Sequence, residues 1–142
     1  MDHPVETVAA RGHDHVAATH ASTFEVTTDD WLTPAGDCIV GVEADRAPAD
    51  FAPAFVEACR DPTNEVVVVL RAGGHESRVR AHGHPELTFA SDRSLVVRTS
   101  DYVDDRTVAV GADAAAADLD RELAAALADG AALTARLRVE RS

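Results

Sequence analysis

The chain has 142 residues, 25 acidic and 13 basic, and a formal net charge of −12. With 46% hydrophobic and 27% charged residues, the composition excludes a disordered chain and fits one globular domain over 1–142. The longest aliphatic run, Val66 to Leu70, is far short of the roughly 20 residues that cross a bilayer, so no membrane span is expected.

The predicted elements run in chain order as strands near 5–11, 22–28 and 37–44, a helix near 50–60 and a strand near 65–72. Strands near 76–82, 94–99 and 106–112 follow, then a helix near 114–128 and a strand near 132–140. Period-two alternation marks several strands, among them Phe24/Val26 and Leu133/Leu137/Val139. Val66 to Leu70 is apolar throughout, as in a strand covered on both faces. Phe51, Phe55 and Cys59, and then Leu119, Leu123 and Leu127, repeat at the four-residue spacing of one helix face. Asp50 and Asp118 precede these stripes and are read as helix N-caps, while Asp61-Pro62 and Asp129-Gly130 supply the stops. Ala72-Gly73-Gly74-His75 reads as a turn.

These elements form two tandem β-β-β-α-β units, 5–72 and 76–140. Aligning 8–33 with 79–104 and 37–61 with 105–129 gives 17 identities in 51 pairs, of which five are alanine. Gly12-His13 falls on Gly83-His84, Trp31 on Tyr102, and Asp45 on Asp113. A strand–helix–strand link implies a parallel crossover, and short strand-to-strand turns imply antiparallel pairs. The expected fold is α+β: a mixed, curved sheet or barrel of about eight strands with two helices, its repeats related by a pseudo-two-fold and sharing one core.

All 13 basic residues are arginine, 16 of the 25 acids are aspartate, and alanine fills 28 positions. Such a chain suits a high-salt archaeal cytoplasm, where ions screen the acidic surface. Met1-Asp2-His3-Pro4 lacks the basic and apolar regions of a secretory signal, and two cysteines are too few for a disulfide framework, so a reducing cytoplasmic setting is expected. No basic cluster is readable. Arg78 and Arg80 alternate on one strand and Arg136, Arg138 and Arg141 are spread near the carboxyl end, so a nucleic-acid partner is not expected.

Arg11-Gly12-His13, Ala18-Thr19-His20, Thr23-Phe24-Glu25 and the run from Leu32 to Val42 resemble the archaeal "domain of unknown function 371" family. Gly83-His84-Pro85 and the stretch from Thr107 to Asp113 extend that resemblance over nearly the whole chain. It implies an archaeal origin; it supplies no activity, cofactor or catalytic residue.

Seven histidines supply the main chemical material, with His13, His15 and His20 in one segment and His75, His82 and His84 in another. Imidazole is a common ligand for zinc, copper and nickel, and Cys38 or Asp45 offers a further donor. The spacing matches no metal signature. The recurring Gly-His doublet is equally the mark of a turn in which glycine takes positive φ and imidazole bonds nearby backbone. Asp45 and Asp113 follow strands, where ligands collect in α/β units, or else they bond their own loops. The second-half counterpart of residues 18–25 lacks His20 and Glu25, which points to a site kept in the first half. A Ser22–His20 nucleophile lacks the Gly-x-Ser-x-Gly elbow, and Ala72-Gly73-Gly74-His75 lacks the lysine of a phosphate loop. The candidate ligand-binding residues are therefore His13, His20, Thr23, Glu25 and Asp45, with His84 across the pseudo-axis. They are read as binding a small molecule or metal ion; the alternative is a non-catalytic protein-interaction or assembly module.

Overall fold

A computed structural model describes residues 3–142. Its strands are β1 (Val5–Arg11), β2 (Thr23–Thr27), β3 (Ile39–Gly41), β4 (Glu65–Ala72), β5 (His75–His82), β6 (Ser94–Arg98), β7 (Thr107–Ala109) and β8 (Ala132–Glu140). Helix α1 (Pro53–Cys59) lies between β3 and β4, and helix α2 (Arg121–Ala128) between β7 and β8. The fold is α+β. Its strands form two four-stranded sheets, sheet A in the order β1-β8-β4-β5 and sheet B in the order β3-β2-β6-β7.

This corrects the expectation of one curved sheet or barrel. The edges β1 and β3, and likewise β5 and β7, approach one another only through the isolated bridges Arg11↔Val42 and His82↔Val110. Too few ladder hydrogen bonds span these corners to close a barrel. The expected parallel crossover through each helix is also replaced, because β3 and β4 lie in different sheets, as do β7 and β8. The parallel pairs are instead β2–β3 and β6–β7, joined by the non-helical loops 28–38 and 99–106. The β4–β5 hairpin matches its turn chemistry, with Gly73 at φ 58° and Gly74 at φ 80° between the closing pair Ala72↔His75.

Both helices are shorter than their apolar stripes suggest. Asp50 and Asp118 do not cap them; each closes a short 3₁₀ turn by accepting a hydrogen bond from the backbone three residues back, Ala47 and Ala115, at 2.9 Å. The true cap of α2 is Asp120, which accepts from Glu122 N at 2.7 Å and Leu123 N at 3.1 Å. Helix α1 begins at Ala52, which has no capping side chain of its own, and the nearly buried Glu6 of β1 accepts from Ala52 N at 2.6 Å.

One apolar core runs between the sheets and the helices. Phe24, Val26, Leu95 and Val97 come from sheet B, Val66, Val68, Leu70 and Leu137 from sheet A, and Phe55, Leu123 and Leu127 from the helices. Phe51, Phe55 and Phe89 meet at ring separations of 5.4–6.2 Å. Cys59 is fully buried beside them, and burial, with the Glu6 charge adding, pushes its thiol up to about 12. No described helix is long and apolar enough to cross a membrane.

Gly12 and Gly83 have a role different from the one expected: neither takes positive φ. Their amides donate to Ala131 O (2.7 Å) and Asn64 O (3.2 Å), while the next residues, His13 and His84, donate to Leu127 O and Cys59 O, both at 2.9 Å. A Cβ on Gly12 would collide with the Leu127 carbonyl, and one on Gly83 with the carbonyls of Cys59 and Asp61. The doublet exists because the strand exit lies directly on a helix C-terminus, where only hydrogen fits. Gly12→Ala and Gly83→Ala should each lower unfolding free energy by about 3 kcal/mol, the scale of forced overpacking, measured by urea denaturation; a loss below about 0.5 kcal/mol would contradict this packing.

Candidate functional site

Most of the histidines and carboxylates singled out in the sequence serve local structure. Nδ1 of His13 accepts from His15 N at 3.0 Å and Nδ1 of His84 from Glu86 N at 3.1 Å, so both imidazoles close turns. Their backbones are anchored on different helices, α2 for His13 and α1 for His84. The structure does bring His20 and Thr23 together. Nδ1 of His20 accepts from Ser22 N and Thr23 N, each at 3.2 Å, with the Thr23 hydroxyl also 3.2 Å away. Ser22 Oγ lies 3.4 Å from that same nitrogen, which the backbone already uses. Asp45 accepts from Ala9 N at 2.9 Å and Asp113 from Arg80 N at 3.0 Å, so both carboxylates pin neighbouring strands.

Glu25 belongs to a polar layer on the outer face of sheet B. It is nearly buried, accepts from Cys38 Sγ at 3.7 Å and faces Arg106 at 3.6 Å. Burial, with the Glu25 charge adding, raises the Cys38 thiol and leaves it a poor nucleophile. Arg106 also reaches Asp104 at 3.1 Å, and Asp104 binds Arg98 at 2.9 Å. Burial alone would raise the Asp104 carboxyl, but hydrogen bonds from Arg106 and Thr107 and the Arg98 charge outweigh it and hold it at about 2. No hydrogen bond or ion pair joins His13, Glu25, Asp45 and His84 to one another among the described residues.

Donor atoms do converge elsewhere. His75, Asp120 and Glu122 have ligand atoms within 4.8 Å of one another, among the described residues, with His75 Nδ1 3.3 Å from Glu122. His75 follows the β4–β5 turn, and the two carboxylates sit in the first turn of α2, where Asp120 already serves as cap.

The feature that sequence reading missed lies on the open face of sheet A. Side chains alternate across a strand, so residues opposite one another in the ladder share a face. Val69 of β4 is opposite Arg78 on one side and Arg136 on the other; Val67 is opposite Arg80 and Arg138. Pairing therefore gathers into two rows the arginines that look dispersed in the sequence, and this corrects the expectation that no basic cluster exists. Adjacent strands lie about 4.8 Å apart, so the Arg78 and Arg136 backbones stand about 10 Å apart across Val69. Arg71, Arg78, Arg136 and Arg138 line one cavity of about 100 Å³ with Val67, Val69 and Thr134.

The ion pairs on this face are unevenly distributed. Arg80 pairs with Glu65, Arg71 with Glu76, and Arg138 with Glu140. Arg78 and Arg136 are exposed and have no carboxylate or hydrogen-bond partner among the described residues. Nε of Arg138 is buried without an acceptor. Two guanidinium groups without a partner among the described residues, over an apolar floor, concentrate positive charge on this face of a chain of net charge −12. The available sequence signal was alternation: arginine holds the outward positions of the strand segments Ser77–Arg80 and Ala135–Arg138.

The model of the family described as "Domain of unknown function (DUF371)" matches residues 8–140. The chain belongs to this family. It is also 34% identical over 132 residues to "Uncharacterized protein MJ0206" of Methanocaldococcus jannaschii, covering 93% of this chain and 97% of that protein. The family match spans the ends of both sheets, so β8 and its arginines fall within it.

The Asp104 network gives a pH test. A carboxyl held below its unfolded value adds stability above about pH 4 that disappears as pH falls through about 2. Asp104→Asn should cost about 1 kcal/mol at pH 7, discounted for its partial exposure. That difference should narrow toward pH 2 in thermal melts, and a pH-independent penalty would refute the ionic origin.

Proposed function

We propose that the protein is a binding module, without catalytic action at this face, that holds an anionic ligand on the open face of sheet A. The supporting observation is the pair of guanidinium groups, Arg78 and Arg136, on either side of Val69 and without a partner among the described residues. Guanidinium presents a rigid fork of donors matched to phosphate and carboxylate oxygens, and it stays charged at any physiological pH. The cavity lining contains no histidine, cysteine, serine or carboxylate, and its one hydroxyl, Thr134, has no general base beside it in the lining. This reading keeps small-molecule binding but places the ligand on sheet A instead of on His13, His20, Thr23, Glu25, Asp45 and His84, where His13, His20, Asp45 and His84 make local hydrogen bonds.

We infer also that the two halves derive from one duplicated unit sharing a single core. The order of three strands, 3₁₀ turn, helix and strand occurs twice, and aligned residues make aligned bonds. Asp45 on Ala9 matches Asp113 on Arg80, and Ala52 N on Glu6 matches Asp120 N on Ser77 Oγ at 2.9 Å. The halves differ on the exposed face. By the alignment offset, Arg78 corresponds to Thr7, so the arginine rows arose on one side only.

Titration of isotopically labelled protein with inorganic phosphate at low ionic strength tests the binding surface. Amide shifts should concentrate in β4, β5 and β8 and largely vanish in Arg78→Ala/Arg136→Ala. Shifts centred on residues 13–25, or unchanged in the double variant, would overturn the assignment.

A further inference from the structure

We propose that the ligand of sheet A is a small phosphate monoester, recognised by its terminal dianion; this rests on the anion-binding reading of that face. The charge count favours it. Of the five arginines on β4, β5 and β8 in this region, three are neutralised by Glu65, Glu76 and Glu140, and Arg78 and Arg136 contribute two positive charges that no carboxylate among the described residues compensates. A phosphate monoester carries between −1.5 and −2 near neutral pH and three acceptor oxygens. Its three oxygens can engage both forks at once. A carboxylate brings one charge and two oxygens, enough for a single fork.

The surroundings disfavour a polyanion. A phosphodiester chain laid along β4, β5 and β8 would meet the carboxylates of Glu65, Glu76 and Glu140 on those strands. No aromatic residue lines the cavity to stack a base; Trp31 and Tyr102 are exposed on the loops of sheet B. A cavity of about 100 Å³ has room for a phosphate group between the arginines. The floor of Val67 and Val69, with Thr134 beside it, is apolar next to the charge, which suits an ester whose carbon body begins directly at the phosphate oxygen.

Isothermal titration at low ionic strength with phenyl phosphate, benzoate and a twenty-nucleotide oligothymidylate tests this. The expected result is one phenyl phosphate per chain, with benzoate at least tenfold weaker and oligothymidylate no tighter per site. Arg78→Ala and Arg136→Ala should each weaken phenyl phosphate at least tenfold with unchanged thermal stability, and Arg93→Ala on sheet B should leave it unaltered. If a single-residue variant is unstable, Arg78→Gln supplies the same test with the side-chain length kept. Benzoate binding as tightly as phenyl phosphate, with both lost in the arginine variants, would overturn the monoester assignment and leave the anion-binding face intact. Oligothymidylate binding at least tenfold tighter would do the same in favour of a polymer. Failure of all three probes to bind would overturn both readings.

Discussion

The antiparallel pairing of β4 with β8 at the centre of sheet A is the constraint on which the rest depends. It sets Val68 opposite Leu137 and Val66 opposite Val139 on the buried side, and Val69 opposite Arg136 and Val67 opposite Arg138 on the open side. A slip of one residue would carry Arg136 and Arg138 into the apolar core and expel Leu137 and Val139. Burying even one unpaired guanidinium is far more costly than any strand pairing returns, so this register is strongly enforced. The pairing also joins the final strand of the first half to the final strand of the second, while β1 and β5 add on either side. Core and exposed arginine rows are thus two consequences of one ladder.

The exit of each first strand forms a second constraint, which fixes the helices. Gly12 and Gly83 lie so close to the C-terminal carbonyls of α2 and α1 that those carbonyls receive backbone amides where a helix end would otherwise face solvent. Each helix is therefore held by a strand from the other half of the chain. The histidines that follow are placed by this contact and then bond their own turns, which accounts for a Gly-His doublet without a ligand.

Strand positions were legible in the sequence because alternation and the Val66–Leu70 run are local signals, and the observed strands fall within a few residues of them. Helix extents were less legible. Alanine at 114–117 and 124–126 reads as helix throughout, yet Asp118 accepts from Ala115 N and Asp120 caps a separate start, so the segment divides into a 3₁₀ turn and α2. Apart from the β4–β5 hairpin, sheet partners were not legible. Which strand lies beside which is set by long-range packing, and the helical links change sheets instead of returning to the same one. The arginine rows fell into that gap, since Arg78 and Arg136 are distant in sequence and meet only through β4. The local bonds of the histidines were not legible either: their residue types fitted metal chemistry, and in the fold Nδ1 of His13, His20 and His84 accepts from amides two or three residues away.

A crystal structure grown in phosphate at low ionic strength tests this account most directly. It should show β8 in the stated register, with one anion over Val69 held by both Arg78 and Arg136. A shifted β4–β8 register, or guanidinium groups turned away to neighbouring carboxylates with the anion bound elsewhere, would contradict it.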